Sequence, residues 1–303
     1  MNTPEKEHLI SREIIAFLVD RRARNLAPGS IAFYERELTA FQNYLDDQKI
    51  THIEQITPDV IRRYLNSLTN RNAGGKDAAY RTLRAFFRWW AVEVDAPQQF
   101  NPMRKVARPK VPSEPLPGVD RESIYAMLAT CRNRRSFYDA RDAAIIITLF
   151  DTGLRRAEFL ALNHGDINLR TGAVQVRHGK GDKPRTVFLG SRARQDLIRY
   201  LRFFGQEPDA SPLWITSTGK RLTAAGLRQI IRRRAEKAGV RPAPGIHDFR
   251  RAFAIESLRN GMDLVTLARL MGHTDITVLR RYLHLLETDL QRAHSASSPA
   301  DHL

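Results

Sequence analysis

Residues 247–282 concentrate side chains able to do chemistry. Two histidines (His247 and His273), an arginine three positions after the first (Arg250) and a tyrosine nine positions after the second (Tyr282) fall within one short stretch. Positions three apart share a helix face, so His247 and Arg250 would present together. Guanidinium and imidazole groups supply fixed donors for phosphate oxygens, and a phenol can attack phosphorus. Upstream, residues 151–162 read DTGLRRAEFLAL. The apolar run 143–150 predicts a buried helix ended by Thr152-Gly153, since glycine is a common helix terminator. Arg155 then opens another helix, with Glu158 one turn on. Residues 173–178 and 185–189 alternate like strands, and the Gly- and Asp-containing loop between them carries Lys180. Singly, each residue has an ordinary reading: a surface histidine, a solvated Arg250-Arg251 pair, a packed tyrosine, a loop lysine. The combination points to phosphate chemistry.

In order and spacing, these pieces resemble the tyrosine recombinase (phage integrase, Xer-like) family. The matching motifs are TGLRRAE with Arg155 and Glu158, GKGDKPR with Lys180, HDFR with His247 and Arg250, GH with His273, and then Tyr282. Asn101-Pro102 followed by Ala107-Arg108-Pro109-Lys110 resembles the family's interdomain linker. Ala157 stands where a small polar residue is common, and Leu279-Arg280-Arg281 is more basic than usual; both bear on subfamily. The resemblance implies that Tyr282 is the nucleophile and that the enzyme becomes joined to a 3′ phosphate. It implies that Arg155 and Arg250 bind the phosphate, that His273 donates to it, and that His247 donates or acts as base. Lys180 would protonate the leaving 5′ oxygen, and Glu158 would orient the site. The implied function is site-specific cleavage and rejoining of double-stranded DNA by a homotetramer on two sites, monomeric or weakly associated without DNA. The resemblance allows an accessory DNA-bending protein and implies no cofactor and no metal. Relaxation of supercoils by the same chemistry, as in a type IB topoisomerase, is the alternative, with a non-catalytic DNA-binding regulator as another. A metal-dependent nuclease would need clustered carboxylates, which the sequence does not offer.

The composition agrees with a polyanionic partner. Among 303 residues, 49 Lys and Arg face 33 Asp and Glu, a net charge of +16. An acidic membrane surface is the other candidate, but there is no isolated basic amphipathic helix or lipidation signal, and no apolar run approaches membrane-spanning length. The charged N-terminus does not read as a signal peptide. A single cysteine, Cys131, excludes an intramolecular disulfide and a multi-cysteine zinc site. These features predict a cytoplasmic location.

The elements that must position the site follow. The expected fold class is mainly α with a small β-hairpin: an N-terminal four-helix DNA-binding domain (residues 1–107), a linker (108–118) and an α+β catalytic domain (119–303). Helical spacing marks Ile10, Ile14, Phe17 and Leu18, then Ile31, Tyr34, Leu38, Phe41 and Leu45, with Ser30 as the expected cap of the second helix. Thr57-Pro58-Asp59 is a strong helix start. Residues 72–75 read as a loop and residues 76–94 as the fourth helix. Arg62, Arg63, Lys76, Arg81 and Arg84 lie on polar faces and, as a set, suit DNA-backbone contact, which needs many weak charge contacts. The proline-rich residues 104–118 read as extended; their basic residues fit a path along DNA and equally an ordinary surface linker. Asp120 is an expected helix cap, and residues 191–204 read as a helix. Residues 223–239 form a helix with Leu227, Ile230 and Ile231 on one side and Arg228, Arg232, Arg233 and Arg234 toward the other; Arg232 and Arg233 are its candidate DNA contacts. The polar tail after Asp289 either docks on a neighbouring subunit, as the resemblance implies, or is disordered.

Overall fold

Capping side chains decide where many of the helices begin. Thr57, Asn72, Asp120, Thr223 and Asp263 each accept a backbone N–H from the first turn of the helix that follows, which satisfies donors that a helix start leaves open. The computed structural model describes residues 9–95, 101–111, 118–133, 135–177, 184–205, 207–272, 298 and 300. It divides into two compact units, Met1–Ser113 and Glu114–Leu303.

Among the described residues, the first unit has the α-helices α1 (Ile10–Ala23), α2 (Pro28–Asp47), α3 (Pro58–Ser67) and α4 (Ala73–Glu93). Their apolar faces meet in an aromatic core. Phe17 takes Tyr34, Phe86 and Trp89 edge-on at centroid distances of 5.3, 5.6 and 5.4 Å, arrangements that suit the ring quadrupoles. Three expectations need correction. Ser30 is not the cap of α2: Ala27 holds that position and Pro28 occupies the first turn, where its missing N–H costs nothing. Residues 73–75 are not a loop: Asn72 caps α4 through Gly75 N, so both glycines sit inside the first turn. Nor is the chain extended from Arg104. Pro102–Lys105 form a 3-10 turn, Met103 and Val106 are buried in the helical core, and Tyr80 donates to the Val106 carbonyl at 3.2 Å.

The second unit is built on α6 (Phe137–Thr152), whose residues 140–149 are all buried. Around it lie α5 (Arg121–Ala129), α7 (Arg156–Ala161), α8 (Ser191–Leu201), α9 (Ala224–Ala238), α10 (Ile246–Arg259) and α11 (Leu264–Met271). Strands β1 (Ala173–Val176) and β2 (Arg185–Phe188) pair antiparallel, with Val174 opposite Val187 and Val176 opposite Arg185. Trp214 is stacked between Phe159 and Tyr200 at 4.7 and 5.6 Å. The expected fold class therefore holds: a helical N-terminal unit and a mainly α second unit with one small sheet. Among the described residues, no helix is long and apolar enough to cross a membrane.

Arg234 departs from its expected place on the polar side of α9. It is 2 % exposed and donates to Asp142 and Asp139 at 2.8 and 2.7 Å. The spacing explains this: Arg234 is seven residues after Leu227 and four after Ile230, so it continues the apolar stripe. Its charge is tolerated because two carboxylates and the Thr130 carbonyl accept from it; buried Asp142 also accepts from Arg141 and Arg233.

Candidate active site

Two glycines set the frame. α6 ends at Gly153 and α11 at Gly272, both left-handed, with φ of 56° and 63°. A side chain is disfavoured there by conformation and by space, since a Cβ on Gly153 would lie 2.3 Å from the Phe253 ring and one on Gly272 3.1 Å from Arg185 Nε. A helix end leaves backbone carbonyls without intrahelical donors and concentrates negative potential there. Arginines meet these carbonyls.

Arg185 Nε donates to Leu270 O at 2.9 Å, Arg250 Nη2 to Met271 O at 2.7 Å and Arg155 Nη2 to Gly272 O at 2.9 Å. Arg250 Nη1 also donates to Gly153 O at 2.6 Å, so this one side chain joins the ends of α6 and α11. Three guanidiniums from three separate stretches thus take three consecutive carbonyls, the last belonging to the residue before His273.

Glu158 holds the group from the other side. It accepts from the Arg155 amide and guanidinium, both at 2.8 Å, and from both Arg185 terminal nitrogens at 2.9 and 2.7 Å. Burial by itself would raise this carboxyl, but Arg185 and Arg155 outweigh it and bring its pKa from 4.5 to about 2. The basin remains net positive, with three guanidiniums against one carboxylate. His247 lies in the first turn of α10, with an exposed ring. Partial removal from water, and then the charges of Arg250, Arg156 and Arg251, lower its pKa from 6.5, against an opposing contribution from Asp248. These influences favour the uncharged imidazole.

The structure thus brings together Arg155, Glu158 and Arg250, with His247 one turn before Arg250. Lys180, His273 and Tyr282 lie outside the described residues. Arg185 was not singled out from the sequence. Its signal was an arginine two positions from buried Val187, on the inward face of a strand. The candidate DNA contacts scatter over surfaces. Arg84 is exposed; Arg62 donates to Lys105 O, Arg63 pairs with Asp59 and Arg81 with Asp77; Lys76 is half-buried. Arg232 pairs with Glu236, and Arg233, 44 % exposed, donates to Asp142. Among the described residues, no group of three or more His, Cys, Asp and Glu side chains is placed to hold a metal ion.

A basin of guanidiniums backed by one carboxylate lies at the ends of α6 and α11, in a mainly helical unit that carries a short sheet. Residues 118–289 match the phage integrase family, and residues 16–94 match the phage integrase N-terminal SAM-like domain. The chain belongs to the phage integrase family. It is a tyrosine-type site-specific DNA recombinase. Among its relatives, tyrosine recombinase XerD of Staphylococcus epidermidis is 29 % identical over 284 residues, covering 91 % of this chain and 94 % of the relative. Tyrosine recombinase XerC of Oceanobacillus iheyensis is 28 % identical, covering 91 % and 92 %. Solved structures share the fold. A XerH recombinase in a post-cleavage complex with its palindromic difH substrate matches with a TM-score of 0.69 and 22 % identity, over 93 % of this chain and 82 % of that one. A lambda integrase dimer bound to a core site matches with a TM-score of 0.73 and 16 % identity, over 89 % and 97 %.

Proposed function

We propose that Tyr282 is the nucleophile of this recombinase and that Arg155, Lys180, His247, Arg250 and His273 complete its catalytic set. The phenolic oxygen attacks the scissile phosphorus and its proton passes to His247. The bond to the 5′ oxygen breaks as Lys180 protonates it, leaving a 3′-phosphotyrosyl link. Attack by the 5′ hydroxyl of a partner strand reverses these steps and regenerates the tyrosine. Arg155 and Arg250 bind the non-bridging oxygens, where a guanidinium fork matches phosphate geometry. His273 adds a further donor, and Glu158 orients Arg155. The observation that carries the reading is the gathering of Arg155, Arg250 and Glu158 around the residue immediately before His273.

The DNA is double-stranded, gripped through Arg62, Arg63, Lys76, Arg81 and Arg84 of the first unit and Arg232 and Arg233 of α9. The domains are residues 1–107 and 119–303, with 108–118 as linker. The recombining species is a homotetramer on two sites, with room for an accessory DNA-bending protein, and the protein works in the cytoplasm. A lambda integrase tetramer bound to a Holliday junction is among the structures that share the fold, which favours this assembly over relaxation by a single subunit. The test is a nicked suicide substrate carrying the protein's own site, in EDTA. Wild type forms a protein–DNA adduct that maps to Tyr282. Tyr282→Phe binds DNA like wild type and forms none. An adduct on another residue sinks the assignment.

A further inference from the structure

Arg185 makes more contacts at the site than a strand residue needs for stability. Both its terminal nitrogens grip Glu158, and its Nε holds Leu270 O. Its side chain is only 11 % exposed. Gly272 packs directly on it: an added Cβ there would stand 3.1–3.2 Å from Nε, Cδ and Cζ. Glu158 in turn holds Arg155 by two bonds. One side chain therefore touches the carboxylate that orients Arg155 and the backbone from which the chain continues into His273. It also opens β2, two residues after Asp182-Lys183 of the loop that carries Lys180.

We propose that Arg185 is a positioning residue for recombination: through Glu158 and the end of α11 it sets Arg155 and the start of the His273 segment relative to the scissile phosphate. It does not itself contact DNA. Three of its five N–H donors are used on Glu158 and Leu270 O, its side chain is 11 % exposed, and its end-on fork is spent on the carboxylate. Lysine cannot substitute, because one ammonium cannot meet both carboxylate oxygens in the plane and a carbonyl on the third side. The inference rests on the reading of Arg155 as a phosphate clamp.

The experiment is single-turnover formation of the covalent adduct on a suicide substrate by Arg185→Lys, with Arg155→Ala alongside. Each is measured on the natural phosphodiester and on a methylphosphonate, which is neutral at the scissile position and asks less of a guanidinium. Displacing a group by about 1 Å costs on the order of 10²-fold, so Arg185→Lys lowers the rate constant by about that factor, with DNA affinity and burst amplitude retained. On the methylphosphonate its defect shrinks, in parallel with that of Arg155→Ala. A residue that only stabilised the fold would lower the amplitude and lose equally on both substrates.

If Arg155→Ala recovers on the methylphosphonate and Arg185→Lys does not, the clamp reading stands and the Arg185 role is overturned. If neither recovers, the clamp reading itself is wrong and the inference falls with it. Should Arg185→Lys fold poorly, the double variant Arg185→Met/Glu158→Gln replaces the buried pair with neutral groups of similar size. It is expected to fold and to show the same selective recovery; equal defects on both substrates would again overturn the role.

Discussion

The two units of this protein use arginine in opposite ways. In the first, the core is aromatic and aliphatic, and several arginines ride on its outside, although Arg71 reaches inward to buried Glu37. Arg63, Arg81 and Arg108 are each more than half exposed where they pair with Asp59 or Asp77, and Arg84 is exposed. In the second unit, arginines turn inward. Arg250 is 7 % exposed and Arg234 2 %, and their partners are buried carboxylates or the carbonyls at helix ends. An exposed pair in water is worth little, typically below about 1 kcal/mol. Such a surface suits a polyanion held through many replaceable contacts. A buried guanidinium is costly to desolvate and must be held from several sides, but once held it needs no reorganisation when negative charge develops.

The largest effect that would test this contrast is at Asp142. Fully buried beneath Arg141, Arg233 and Arg234, it cannot be removed without stranding their charges. Asp142→Ala is expected to destabilise the protein by about 3–5 kcal/mol, the range for breaking a buried pair, measured by chemical denaturation. The matching Asp77→Ala removes a carboxylate that is itself buried but leaves only the exposed Arg81 and Arg108 for water to take up, so it should cost clearly less, about 1 kcal/mol. Equal losses would erase the distinction between the units.

At the basin the loss should appear in chemistry. Arg250→Ala is expected to cut adduct formation by about 10²-fold or more, the scale for one preorganised donor, while duplex affinity changes far less. Because Arg250 also ties Gly153 O to Met271 O, Arg250→Lys is the control for folding, and it should remain defective in cleavage. If affinity and cleavage fall together, Arg250 is an anchor of the first unit's kind.

Acid should reach the basin late. The Glu158 carboxyl is depressed in the folded protein to about 2 from an ordinary 4.5. A depressed carboxyl contributes stability that is fully present above the unfolded value and is lost as pH falls through the folded one. Wild type should therefore shed this contribution between about pH 4.5 and 2. Glu158→Gln, titrated by thermal melting, should show a shallower decline over that window. An unchanged slope would mean that the pairs from Arg155 and Arg185 do not form in solution.

The smallest single effects belong to the grip. Duplex affinity should fall with salt at a log–log slope of about −0.9 per phosphate neutralised. Arg84→Ala or Arg62→Ala should each reduce that slope by about 1, with adduct formation at saturating DNA unchanged. A slope that does not respond would remove these residues from the DNA face.

Much of the molecule was legible before any coordinates. Thr57 and Asp120 cap the helices they were expected to start, whereas Asn72, read as part of a loop, caps α4, because glycines are tolerated in a first turn. The separated motifs identified the candidate set in order, because phosphoryl transfer demands particular side chains. The tertiary structure alone decided where the guanidiniums point. Nothing in local spacing shows that Arg155, Arg185 and Arg250, from three stretches up to 95 positions apart, take consecutive carbonyls at one helix end. Nor does it show that Glu158 serves two of them, or that Arg234 meets Asp139 and Asp142. Periodicity reports which face a residue occupies. What that face meets depends on long-range packing, and for an arginine the partner it meets decides whether its charge binds, positions or stabilises.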